Sequence, residues 1–234
     1  MKKTHKILLG ALAFSILAVS CKKDDGGINI EPPKALSEII ATDEADIKAF
    51  LETHFYNYEE FETPPADFDY RIDIDTISGD NADKTSLLQM MTAKKVIVRS
   101  EEIGLDDEKE LEHTYYYIVA RQGVGPRPTV VDSSFVRYEG SLLNKQVFDG
   151  STESPVWFDL VNTVKGFGSG TQWLKAGEVT STNSDGTFEI DNYGVGMVIF
   201  PSAMGYYSRQ QGTIPSYSPL IFKIDLMTVA VADH

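Results

Sequence analysis

The chain has 234 residues, 42% of them hydrophobic, with 35 acidic against 21 basic side chains and a formal charge of −14. That length and apolar share allow one large domain or two modest ones and exclude wholesale disorder, while the acidic balance and the lack of a basic cluster exclude nucleic acid as a partner. One cysteine excludes internal disulfides, and the four histidines, His5, His54, His113 and His234, are too scattered for a Cys/His centre, so no metal and no cofactor is expected.

In chain order, Lys2, Lys3 and Lys6 precede an apolar run from Ile7 to Val19 that is too short to cross a bilayer, so residues 1–20 read as a cleaved export signal. The run ends in LAVSC, Leu17 to Cys21, which resembles the lipobox of bacterial lipoproteins, with Ala18 where that motif usually has leucine. The resemblance implies lipidation of Cys21, a membrane anchor there, and an exported lipoprotein of the cell envelope, most plainly the outer membrane. Residues 21–36, with Gly26, Gly27, Pro32 and Pro33, have little to bury and read as a tether. Their opening CKKDD is either a solvated linker or, by its similarity to the Lys-plus-acidic tag of Bacteroidetes surface lipoproteins, a signal for display on the cell surface.

Residues 37–111 read as an acidic α+β region. The stretch 21–111 holds 10 basic and 23 acidic side chains, against 8 and 12 in 112–234. Thr42 as N-cap, acids in the first turn, and Ile47, Phe50, Leu51 and Phe55 at helical spacing predict a helix near 43–56. Tyr70, Ile72 and Ile74 alternate with charged residues as in a half-buried strand, and Lys95 to Arg99 and His113 to Ala120 read as further strands. Thr85 to Ala93 suits a short helix. The acidic run Asp73 to Asp83 lacks the oxygen ligand and the glycine that a calcium loop needs at its fifth and sixth positions, and so reads as strand and turn.

The remainder carries the most specific pattern. The ordered blocks GVGPRPTVVDSSFVRYEGSL, VFDGS, PVWFDL, VKGF, LKAGE, VIFPSAMGYY and GTIPSYSPLIFKIDL closely resemble the FKBP-type peptidyl-prolyl isomerases over about residues 112–230. The resemblance implies an α+β fold, with a strongly bent antiparallel sheet wrapped on one short helix near Thr163 to Trp173. It also implies that Tyr138, Phe148, Asp149, Phe167, Tyr206 and Phe222 form the catalytic pocket, and that Val164, Gly205 and Ile214 bind substrate. In that reading the aromatic rings are walls and floor, Asp149 fixes polar groups at the rim, and the Tyr206 hydroxyl and the Ile214 backbone N–H hold substrate carbonyls.

The implied activity is cis–trans isomerisation of X–Pro bonds in extracytoplasmic client proteins, without cofactor or metal. The alternatives left open are a catalytically weak binding module or holdase, and a structural surface component. Three features depart from the family pattern: Phe167 stands where tryptophan is usual, the loop Gly150 to Ser154 is short and lacks an arginine, and FDLVNTVKG is shortened. Thr180 to Gly196 is an added segment, expected as a β-hairpin near the rim because Ser184, Asp185 and Gly186 suit a tight turn. It serves either to shape partner choice or as a tolerated extension.

Overall fold

The computed structural model describes residues 32–107 and 109–232. The export segment, Cys21 and most of the tether lie outside the described residues. The first element is helix α1, Leu36–Thr53, which starts seven residues before the expected position. Thr42 is not its cap. Ala35 takes that place with extended backbone, and Asp43 lies inside the helix, buried, where its carboxylate accepts hydrogen bonds from the backbone N–H of Ser202 at 2.8 Å and its hydroxyl at 2.7 Å. A partner 159 residues away uses the acid that local spacing assigned to a first turn. Helix α1 stops at His54, where the chain turns extended into strand β1, His54–Tyr56.

Helix α2, Tyr58–Glu62, and strand β2, Ile74–Thr76, follow, with β2 antiparallel to β1. Strand β2 is shorter than the alternation from Tyr70 suggests, because Tyr70 sits at φ 61°, outside the extended region. Helix α3 is only Leu87–Met90, since the chain is already strand β3 from Thr92 to Arg99. Strands β4, Glu110–Arg121, β5, Ser133–Leu142, and β6, Val147–Asp159, come next, then helix α4, Lys165–Thr171. Strands β7, Glu178–Thr182, and β8, Phe188–Asp191, form the expected hairpin as a separate two-stranded sheet. Strands β9, Gly194–Phe200, and β10, Leu220–Ala230, complete the chain.

The main sheet has six antiparallel strands in the order β3-β4-β9-β10-β5-β6. Bulges interrupt the β4/β9, β5/β6 and β5/β10 ladders, which bends the sheet. It is covered on both faces. Successive residues of a strand point to opposite sides, and β9 sends Val198 and Phe200 into a core with Phe167 of α4, while Met197 and Ile199 join Ile47, Phe50 and Leu51 of α1. This explains why GVGMVIF is buried at every position, without the polar alternation of a half-exposed strand. Each such Ile or Phe contributes about 1.5–3 kcal/mol of burial.

Helix α4 lies unusually close to the sheet because its glycines face it. A Cβ on Gly166 would fall 2.2–2.3 Å from ring atoms of Phe200, and one on Gly170 would fall 2.5 Å from Val198. The spacing of four residues puts both glycines on one side of the helix.

The expected division between 111 and 112 does not separate two bodies. The residues from 33 onward cluster as one unit, and β3, assigned from sequence to the first region, is a strand of the main sheet paired along Thr92 to Arg99 with β4. The acidic region therefore supplies both an edge strand and the cover of one sheet face. Among the described residues no helix is long and apolar enough to cross a membrane.

Candidate functional site

Four elements converge at the opposite face of the sheet. Strand β5 contributes Tyr138, β6 contributes Asp149, Trp157 and Phe158, α4 contributes Phe167, and β10 contributes Phe222. Together with Val164 and Tyr206 these residues line a cleft of about 330 Å³. Phe167 is its floor, 2% exposed, with its ring edge-on to three others: Phe222 at 5.2 Å, Phe158 at 5.4 Å and Tyr138 at 6.1 Å. Edge-to-face packing places ring hydrogens against ring faces, which holds the four rings in a fixed mutual orientation.

The floor can be this deep because of the glycines of α4, since Phe167 follows Gly166 directly and rides on a helix pressed against Phe200. Phe200 in turn stacks on Phe222 with centroids 5.8 Å apart and planes 5° from parallel. Gly140, opposite Phe222 in the β5/β10 ladder, leaves the room in which the rings of Phe148 and Phe222 meet; a Cβ there would fall within 2.8 Å of both.

Polar groups lie at the mouth. The Tyr138 hydroxyl donates to the Asp149 carboxylate at 2.8 Å, and the other carboxylate oxygen accepts the Gly150 N–H at 2.9 Å. Burial pushes the Tyr138 phenol well above the usual tyrosine range, and the Asp149 charge adds to the effect. Burial also raises the Tyr206 phenol, with Asp149 again contributing. Both phenols therefore stay neutral at physiological pH. The Tyr206 hydroxyl makes no hydrogen bond among the described residues and is free to donate to a ligand.

Of the residues singled out from the sequence, Tyr138, Asp149, Val164, Phe167, Tyr206 and Phe222 line the cleft. Phe148 does not; it packs edge-on behind Phe222 at 5.6 Å. Gly205 borders a second, adjacent hollow. Ile214 is buried, and its N–H, expected to be open for a substrate carbonyl, is donated to the Gln211 carbonyl at 2.9 Å, while the Gln211 N–H returns to Ile214 at 3.1 Å. The two-residue turn of Gly212 and Thr213, with Gly212 at φ 56°, closes this bridge on itself. No residue of the β7/β8 hairpin lines the cleft; its base is held by the Gly177 N–H on the Met227 carbonyl at 2.9 Å, toward the far end of β10.

Sequence reasoning missed Trp157, Phe158 and Asp159 as lining residues, although PVWFDL was among the blocks carrying the resemblance. The alternation of β6 was the available signal, since Phe158 faces inward with Tyr138, and Trp157 leans on Phe135 at the surface. It also missed how the amino-terminal segment holds the loop bearing Tyr206. Asp43 grips Ser202 just before the turn, the Tyr207 hydroxyl donates to the Lys34 carbonyl at 2.7 Å, and the Lys34 N–H donates to the Tyr217 hydroxyl at 2.8 Å.

No protein-family model matches the chain. It is 30% identical over 139 residues to a probable FKBP-type peptidyl-prolyl cis-trans isomerase FkpA of Neisseria meningitidis serogroup B, covering 57% of this chain and 44% of the relative. It is 29% identical over 124 residues to the peptidyl-prolyl cis-trans isomerase Mip of Coxiella burnetii, covering 52% and 47%. The chain thus spans less than half the length of these curated relatives. Among solved structures, a peptidyl-prolyl cis-trans isomerase of Pseudomonas syringae aligns at 27% identity over 50% of this chain and 75% of its own, with a TM-score of 0.40. Over the stretch that it shares with these curated relatives, the chain is similar to FKBP-type peptidyl-prolyl cis-trans isomerases.

Proposed function

We propose that this protein isomerises X–Pro peptide bonds of extracytoplasmic client proteins in the aromatic cleft. The supporting observation is the closed set of rings, Tyr138, Phe158, Phe167 and Phe222, beneath the free Tyr206 hydroxyl. Rotation about a peptide bond faces a barrier of about 18–20 kcal/mol because the nitrogen lone pair is delocalised into the carbonyl, and X–Pro bonds populate both isomers. Twisting the bond localises the lone pair and reduces the charge separation. A water-poor aromatic cleft therefore stabilises the twisted amide relative to the planar one. Phe167 receives the prolyl ring as floor, with Phe158, Tyr138 and Phe222 as walls. Tyr206 donates to a carbonyl next to the rotating bond and so holds one side of the peptide still while the other turns. Asp149 orients the Tyr138 hydroxyl and takes no proton from substrate.

A protease-coupled or NMR exchange assay on proline peptides with the purified chain tests this. Acceleration that Phe167→Ala abolishes is the expected result; no acceleration by the parent chain would refute it. A second reading, a catalytically weak binding module or holdase, gains support from the Ile214 N–H, which is committed to Gln211 and leaves Tyr206 as the sole anchor of the expected pair. It predicts peptide binding with no rate enhancement in the same samples.

The export-signal pattern of residues 1–20 and the resemblance of LAVSC to a lipobox support a lipoprotein of the cell envelope, anchored through lipid on Cys21. Globomycin sensitivity of its maturation tests the lipid, and protease shaving of whole cells tests the exposed face. A precursor that matures normally under globomycin would overturn the lipidation.

A further inference from the structure

A second hollow, of about 360 Å³, abuts the aromatic cleft and shares Asn162, Thr163, Val164 and Tyr206 with it. Its chemistry differs. The cleft carries the carboxylates of Asp149 and Asp159, whereas the second hollow carries Lys165, Arg209 and Glu102. Glu102 is already neutralised, since Lys165 Nζ lies 2.7 Å from its carboxylate and also donates to the Ile97 carbonyl at 2.8 Å. Arg209 is different: it is exposed, forms no ion pair among the described residues, and stands near enough to Tyr206 for its charge to act on that phenol. On a chain of net charge −14 with acidic side chains in excess, an unpaired guanidinium at the wall of a hollow is a local reversal of sign.

We infer that the second hollow is a specificity subsite for an acidic side chain of the client, one or two residues from the proline, received by Arg209. The inference rests on the proposed isomerase reading and names its substrate class. Consecutive Cα atoms are 3.8 Å apart, so a peptide whose prolyl ring lies on Phe167 and whose carbonyl meets Tyr206 reaches across the shared wall within one or two residues. The guanidinium presents a planar fork that matches a carboxylate through two parallel hydrogen bonds. Asp149 and Asp159 repel an acid placed on the other side, so the groove also fixes the direction of the chain.

The test uses three proline peptides that differ only in one residue flanking the X–Pro bond, Glu, Gln or Lys, assayed for turnover and, by NMR shift titration, for binding to the purified full chain. The Glu peptide is expected to be preferred over the Lys peptide by about fivefold at low salt, with the ratio falling toward one at high salt. Arg209→Gln should level the ratio and Arg209→Glu should invert it. Each variant is referred to its own Gln peptide, so a general loss of turnover does not enter the ratio. A Glu-to-Lys ratio that stays the same in both variants overturns the subsite even if every peptide is isomerised. Absence of turnover with the charge-dependent binding intact instead refutes only the isomerase reading, and absence of binding by all three peptides refutes both.

Discussion

Replacing the glycines of α4 one at a time separates local propensity from tertiary packing. Helix propensity alone favours alanine over glycine by about 1 kcal/mol at each position, so Gly166→Ala, Gly168→Ala and Gly170→Ala should all stabilise an isolated helix. In the fold they part company. A Cβ on Gly168 would make ordinary contacts at 3.5 Å with Leu160 and Thr163, whereas one on Gly166 would sit 2.2–2.3 Å from the buried Phe200 ring. Relieving that overlap requires the helix to move by about 1 Å from a close-packed sheet. Overpacking of this kind costs about 1–3 kcal/mol or more, which outweighs the propensity gain. Gly166→Ala should therefore destabilise by about 2 kcal/mol, lowering Tm by about 4–8 °C for a unit of this size, while Gly168→Ala raises it by about 2–4 °C. Gly170→Ala, facing Val198 at 2.5 Å, should follow Gly166→Ala in sign. Thermal unfolding of the three variants measures the stabilities, and peptide isomerisation reports the floor, since displacing Gly166 displaces Phe167. A rise in Tm for Gly166→Ala would refute the packing argument, as would equal shifts in all three.

Other consequences are as direct. Tyr206→Phe should leave stability within about 0.5 kcal/mol, because its hydroxyl has no partner among the described residues, yet lower kcat/KM about tenfold; an unchanged rate in enzyme kinetics would remove Tyr206 from the site. His113 is buried without a partner for Nε2, and burial, helped by the Lys165 charge, lowers its pKa to about 4. The unfolded chain, with histidine near 6.5, binds the proton first, so this contribution is complete above about pH 6.5 and is lost as pH falls through 4. Urea titrations at pH 7 and pH 4 should show the parent losing about 2 kcal/mol more than His113→Gln over that interval, after allowing for solvent screening; parallel losses would refute it. A chain beginning at residue 112 lacks β3 and uncovers Tyr116, Met197, Ile199 and Ile221, which pack against the α1 side. Circular dichroism and size-exclusion chromatography should find it aggregated or unfolded, and a monomer with cooperative unfolding would show that the cover is dispensable.

What could be read from the residues alone was whatever depends on short-range order or on a long ordered set of blocks. The hairpin turn at Ser184 to Gly186 and the strands around Lys95, His113 and Tyr138 follow from turn chemistry or local alternation, the short helix before Trp173 was implied by the resemblance alone, and each is present. The aromatic residues of the cleft were reachable through the resemblance, because their types recur in a fixed order. Local pattern failed where a distant partner decided the outcome. Asp43 looks like a first-turn acid, but a buried carboxylate must be hydrogen-bonded, and Ser202 meets that need from the far end of the sheet.

The chain by itself thus determined the element types, the charge asymmetry and the identity of the rings. Only the tertiary structure decided that the acidic first region is a layer of the same body, that Ile214 turns its N–H inward to Gln211, and that Arg209, without an ion pair among the described residues, stands beside Tyr206. The reason is physical: periodicity records which side of an element is buried, and says nothing of which distant surface buries it.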